Sequence, residues 1–166
     1  MSIEKVKSYF RQWPGMEEKI LEFPVSSATV AEAAKAVGTE ERRIAKTLSF
    51  ILDDGPILVV AAGDAKIDNK KFKATFHKKA TMLKVDELTE LVGHPVGGVC
   101  PFGIKEGVKV YLDQSLRRFP TVFPACGSAN SSHSKLTIPE LETYSLFDQW
   151  VDVCKSPGRG AVKRFL

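Results

Sequence analysis

The sequence predicts an α+β fold: a mixed, mostly antiparallel, barrel-like sheet surrounded by helices. Three observations carry this. Strand-like segments follow one another directly at 44–52 and 56–63, and again at 108–113, 121–127 and 131–138. Helical segments fall between them without strict βα alternation, which disfavours a doubly wound sheet. The chain has neither a G-x-G-x-x-G fingerprint nor a P-loop.

The elements follow in order. Ile3, Val6, Phe10 and Trp13 recur at helical spacing, so a helix is predicted over 2–13, stopped by Pro14 and Gly15. ILEFP (20–24) reads as a short strand. Ser27 or Thr29 can cap a helix through TVAEAAKAV, with Gly38 at its end. IAKTLSFIL (44–52) and PILVVAAG (56–63) are joined by Asp53, Asp54 and Gly55, a hairpin signal. NKKFKATF is predicted helical, ATMLKV a short strand, and VDELTELVG a helix with a glycine stop. VKVYLD, TVFPACG and SSHSKLTI are strand candidates, and IPELETYS a helix opening at Pro139.

At 166 residues the chain reads as one domain over 1–155, followed by a basic tail over 156–166. Its 43% apolar and 27% charged residues are ordinary for a globular protein. No apolar run approaches the roughly 20 residues that cross a bilayer, and MSIEKVKSYFRQW reads as a helix without a signal-peptide core. Three cysteines, an odd number without a C-x-x-C pair, argue against a disulfide framework and a zinc site. They suit a reducing cytosol, so a cytoplasmic location is expected. The net charge of +4 permits an anionic partner without requiring one.

Charge is unevenly placed. Seven lysines, Lys70, Lys71 and Lys73 among them, lie between 66 and 84 against one acid, Asp68. Phe72, Phe76 and Met82 are interleaved with them. A solvated helix with its aromatic stripe turned inward would look like this. The density of one sign favours a phosphate-tracking surface.

Three stretches carry chemistry. On the strand 44–52, alternation places Lys46 with Ile44, Leu48, Phe50 and Leu52 on the more apolar face. A buried ammonium there is costly without a partner. It either snorkels to water or grips an anionic or oxygen-rich ligand at a pocket mouth. The loop GGVCPFG (97–103) is apolar and rich in glycine. It is either a tight packing turn or a rigid loop offering main-chain amides to a carbonyl or oxyanion. GSANSSHS (127–134) is small and polar, either a turn or one wall of a wet pocket. His133, in phase with Ser131 and Lys135, is expected on the less apolar side. A Ser/His pair is conceivable there, with no acid close in sequence.

IAKTLSF, GGVCPFG and ACGSAN, in this order and at these separations, resemble the YbaK/EbsC family, free-standing relatives of the editing domain of bacterial prolyl-tRNA synthetases. The resemblance runs from about residue 20 to about residue 145 and includes AEAAKAVG and VYLDQSL. It implies a compact α+β fold and hydrolysis in trans of the ester of a mischarged aminoacyl-tRNA, carrying a small amino acid such as Ala, Cys, Ser or Thr. Lys46 would contact the phosphate or ribose of the terminal adenosine. The G-x-x-x-P loop Gly97, Gly98, Val99, Cys100 and Pro101 would hold the amino-acid carbonyl. Gly127, Ser128 and Asn130 would form another wall. The partners implied are the acceptor end of tRNA and an aminoacyl-tRNA synthetase; no metal or organic cofactor is implied. An aminoacyl ester is already activated, so positioned water and oxyanion stabilisation can suffice without a strong nucleophile. A non-catalytic module that binds aminoacyl-tRNA or a nucleotide is the alternative.

Overall fold

The computed structural model describes residues 2–155. The stretch expected to be a basic tail, 156–166, lies outside the described residues. Five α-helices and eight strands are present among the described residues. The helices are α1 (Ser2–Phe10), α2 (Val30–Val37), α3 (Asn69–Phe76), α4 (Val85–Leu91) and α5 (Ile138–Ser145). The strands are β1 (Ile20–Glu22), β2 (Ile44–Leu52), β3 (Gly55–Ala62), β4 (Lys109–Asp113), β5 (Thr121–Pro124), β6 (Ser131–His133), β7 (Leu136–Thr137) and β8 (Gln149–Val151).

Six strands form one mixed sheet in the order β7-β5-β2-β3-β4-β8, curled into a half-barrel. The β2–β3 hairpin is its longest pairing, antiparallel from Ala45↔Ala62 to Leu52↔Gly55. Strand β3 reads as one apolar run because both its faces are covered. Leu58 and Val60 point into a core with Val6 and Phe10 of α1, while Ile57 and Val59 join Phe50, Phe72 and Val151 in a second. Each such side chain contributes about 1.5–3 kcal/mol on burial.

Local chemistry sets the helix ends. Thr29 caps α2 by accepting from the Glu32 amide at 3.1 Å, and the Glu32 carboxylate accepts from the Thr29 amide at 3.3 Å. Gly38 closes the helix at φ 78°. Asp68, the lone acid of the lysine-rich stretch, caps α3 by accepting from the amides of Lys70 and Lys71. Its role is to start the helix rather than to balance the charge. Phe72 then stacks on Phe50 and Phe76 at 4.8 Å each, so the aromatic stripe faces the core.

Several expectations are corrected. The first helix ends at Phe10, and Trp13 sits in the turn that follows. ATMLKV is not a strand: Met82 makes only an isolated bridge to Phe50, and Val85 already belongs to α4. TVFPACG keeps strand geometry to Pro124, and SSHSKLTI divides into β6 and β7. Strand β8, three residues long, carried no readable pattern.

His133 does not face the less apolar side. Strand β6 is paired with β1 and bridged at Ser132 to Ala125, just past β5, and all three of its residues are buried. The imidazole packs 4.9 Å from the Phe10 ring. His94 is equally enclosed, with Nε2 donating to the Phe102 carbonyl at 2.7 Å and Nδ1 paired with the Ser2 hydroxyl.

Burial pushes the pKa of both histidines below the ordinary 6.5. The folded state therefore favours neutral rings. Above about pH 6.5 neither state binds the proton and the stability is fully present. As pH falls below that value the unfolded chain takes up protons first, and stability is lost down to the lower folded-state pKa values. Urea unfolding at about pH 7.5 and about pH 5.5 should show a drop on the order of 1–2 kcal/mol at the lower pH. Equal stability at both would contradict this burial.

Candidate functional site

Strand β2 changes partners along one edge. Strand β5 pairs with Ile44 and Ala45 alone. Further along, Ile51 N–H donates to the Thr81 carbonyl at 2.9 Å and Leu83 N–H to the Ser49 carbonyl at 3.2 Å. Among the described residues, Lys46 to Leu48 have no strand neighbour on that edge. A cavity of about 200 Å³ opens beside this gap. That is below the roughly 300–1,000 Å³ of drug-sized sites and suits a smaller group.

Four segments contribute to the lining: Ser27 to Val30 at the start of α2, Ile44 to Thr47 with Ser49 of β2, Val96, Gly97 and Val99 of the glycine loop, and Phe123, Ala125, Ser131 and Ser132 around β5 and β6. Most of the wall is methyl groups. Met82 and Val96 sit at its rim, 56% and 58% exposed.

The glycine loop is held by contact of main chain with main chain. A Cβ on Gly98 would stand 2.5 Å from the Ser128 nitrogen and 2.6 Å from the Gly127 carbonyl carbon. Gly97 adopts φ 84°, and a Cβ there would stand 2.9 Å from Ala28 Cβ. The Gly98 amide is committed to the Pro95 carbonyl at 3.1 Å. Gly97 and Val99 line the cavity, and their amides make no hydrogen bond among the described residues. The loop is thus a packing turn that also carries two uncommitted donors.

Lys46 lines the cavity, and as expected its side chain lies on the face that carries Leu48 and Phe50. Its Nζ donates to the carbonyls of Gly63, at 3.3 Å, and Ala65. Burial pushes its pKa below the ordinary lysine range, partly offset by Cys154 and the Asp64 carboxylate. The amine is held by neutral carbonyl dipoles rather than by an ion pair, so an incoming anion would favour its charged form.

The other expected residues stand outside the lining. Cys100 is 0% exposed, its thiol 3.6 Å from the Phe102 carbonyl, and burial pushes its pKa up to about 12. Pro101 borders a second cavity behind the loop, with Tyr9 and Leu146. Gly127 packs on α1, where a Cβ would stand 2.9 Å from the Ser2 carbonyl. The Ser128 hydroxyl donates to Ser131, and the Asn130 amide to the Phe23 carbonyl at 3.1 Å. These residues brace the wall, and their neighbours Ala125, Ser131 and Ser132 line it.

Sequence reasoning missed Thr47 and Ser49. Both line the cavity from the strand face opposite Lys46. The signal was present: two hydroxyls at i and i+2 on one face of an otherwise largely apolar strand. Lys70 and Lys73 are exposed on α3, while Lys71 pairs with Asp152 at 3.1 Å.

Residues 25–143 match the family model for the aminoacyl-tRNA editing domain. The chain is 54% identical over 156 residues to "Uncharacterized protein YwhH" of Bacillus subtilis (strain 168), covering 93% of this chain and 98% of that protein. It is 32% identical over 105 residues to "Putative Cys-tRNA(Pro)/Cys-tRNA(Cys) deacylase EbsC" of Enterococcus faecalis, covering 62% of each. A crystal structure described as "a putative trans-editing enzyme for prolyl tRNA synthetase" superposes with a TM-score of 0.82 at 29% identity, covering 93% of this chain and 98% of that one. The segments that wall the cavity beside β2 lie within that family match, and the chain belongs to the aminoacyl-tRNA editing domain family, among its YbaK/EbsC members.

Proposed function

We propose that the protein is a trans-acting deacylase that hydrolyses the ester joining a wrong, small amino acid to the 3′ end of tRNA. The observation that carries this reading is the pair of uncommitted amides, Gly97 and Val99, on the wall of an amino-acid-sized cavity reached by Lys46. The amino acid enters the cavity with its carbonyl oxygen toward the two amides. Lys46 holds the phosphate or ribose of the terminal adenosine. Water adds to the acyl carbon, the amides stabilise the oxyanion, and the ester C–O bond breaks. The ribose oxygen leaves with a proton, giving free amino acid and uncharged tRNA. No side-chain nucleophile is required, because the ester is activated already.

Exposed Lys70 and Lys73 offer the acceptor stem a basic surface. Lys71, tied to Asp152, contributes less. A synthetase that discharges the wrong product is the natural second partner.

A panel of mischarged tRNAs tests the reading, with turnover expected on at least one small amino acid. Binding without turnover across the panel would instead make the domain a regulatory binding module. Lys46→Ala should lower the rate roughly a hundredfold or more while the circular dichroism spectrum is kept. Near-normal turnover would remove Lys46 from the site.

Reversing Lys70 and Lys73 to Glu should weaken tRNA binding and flatten its salt dependence, while hydrolysis of a minimal aminoacyl-adenosine changes little. An unchanged salt slope would make this an ordinary solvated face.

Cys100→Ala should retain substantial activity, and Gly97→Val should lose it, because a branched side chain disfavours φ 84° and meets Ala28. A dead Cys100→Ala beside an active Gly97→Val would mean a thiol nucleophile. Thiol titration is a further check: all three cysteines are buried, so the native protein should react far more slowly than the denatured one.

A further inference from the structure

Two residues on the cavity wall carry hydroxyls that the fold does not use. Thr47 Oγ1 is buried without a hydrogen-bond partner. Ser49 is 5% exposed, and its hydroxyl makes no hydrogen bond among the described residues. The other hydroxyls around the cavity are committed. Thr29 caps α2, Ser132 donates to the Pro124 carbonyl at 3.0 Å, and Ser131 accepts from Ser128 at 2.7 Å. Ser27 donates to the Ser131 carbonyl at 3.5 Å.

A buried hydroxyl without a partner is destabilising, and folded proteins keep few of them. Valine would fill the same space as Thr47 without that penalty, so packing does not account for the hydroxyl. Thr47 and Ser49 lie at i and i+2 on one strand face, about 7 Å apart. Both border the same cavity, to which Ala33, Ala45, Met82 and Leu88 contribute apolar side chains. A polar pair in such a wall is matched by a polar group on the occupant.

The deacylase reading, on which this inference rests, supplies the occupant: an amino acid esterified to adenosine. We propose that Thr47 and Ser49 are specificity-determining residues that hydrogen-bond a side-chain hydroxyl, so that the site takes seryl and threonyl esters in preference to alanyl and cysteinyl ones. The physical basis is an asymmetry. An apolar wall separates ligands differing by one methylene by only roughly 10–200-fold, whereas a site built to hydrogen-bond a hydroxyl rejects the analogue lacking it far more strongly. Alanine leaves both hydroxyls unpaired, and a thiol is a weak donor. The α-amino group is common to every aminoacyl ester, so a pair that bound only that group would confer no choice.

The test compares seryl-, threonyl-, alanyl- and cysteinyl-tRNA with wild type, Thr47→Val and Ser49→Ala. Wild type should favour the seryl and threonyl esters over the alanyl by about tenfold or more in kcat/KM. Thr47→Val should reduce that ratio by roughly tenfold, with a melting temperature at or above wild type because an unpaired buried hydroxyl is gone. Ser49→Ala should reduce it in the same direction. Alanyl or cysteinyl esters cleaved as well as the hydroxyl esters by wild type would overturn the proposal. So would a Thr47→Val variant that slows every ester equally, which would assign the pair to the α-amino group. Binding of 3′-amide-linked seryl- and alanyl-adenosine separates this inference from the deacylase reading. A seryl preference lost in Thr47→Val, without turnover of any ester, keeps the hydroxyl site and removes the hydrolysis. Equal binding of the two amides, or binding of neither, overturns the hydroxyl site itself.

Discussion

Close contact between two main chains, Gly98 against Gly127 and Ser128, is the constraint on which the site depends. No side chain fits between them, so the two loops meet at the distance of their peptide units. A third loop joins them: Ser27 N–H donates to the Ala129 carbonyl at 2.6 Å, and Phe23 N–H to the Asn130 carbonyl at 2.8 Å. Buried peptide groups must find partners, and small residues let three loops become partners for one another. This network leaves over the amides of Gly97 and Val99, two residues that line the cavity. The apolar character of GGVCPFG follows from the same contact, since Val99 lines the cavity while Cys100 and Phe102 are turned into the core.

Much of the fold was legible because its signals are local. The cap at Thr29, one of two candidates, and the Asp-Asp-Gly turn joining β2 to β3 each depend on neighbours a few residues away, and each appears in the structure. The errors have the opposite origin. ATMLKV has strand-like composition, yet β2 offers it an edge over only a few residues before α4 begins. His133 follows a polar alternation, but strands on both sides cover it. The site was legible as three stretches and not as a cavity. Lys46, Gly97 and Val99 line it, whereas Gly98, Cys100 and Gly127 support it from behind, and spacing does not separate these roles.

Magnitudes decide which groups can act. With a pKa near 12, the Cys100 thiol at neutral pH is ionised in only about one molecule in 10⁵. It is also fully enclosed, so it is a packing residue with a sulfur atom. Lys46 is only partly buried and already held by two carbonyls. The cost of keeping its charge is spread over those dipoles and the Asp64 carboxylate, whose partner Arg118 is 3.1 Å away.

In the reaction we propose, the cavity would divide two tasks between different parts of the fold. Donors for a reacting carbonyl come from a loop, where main-chain amides can be left uncommitted. Hydroxyls that meet the occupant's side chain come from β2, which is paired with β3 along almost its whole length and rests on the core. A strand holds side-chain positions more firmly than a loop does, which suits a choice between small groups differing by one atom. The gap in the sheet at Lys46 to Leu48 makes both possible. A strand filling it would close the cavity, cover Thr47 and separate the glycine loop from β2. The site therefore exists because β2 runs on past the end of β5, and the residues across that interval are the ones whose polarity the fold itself does not explain.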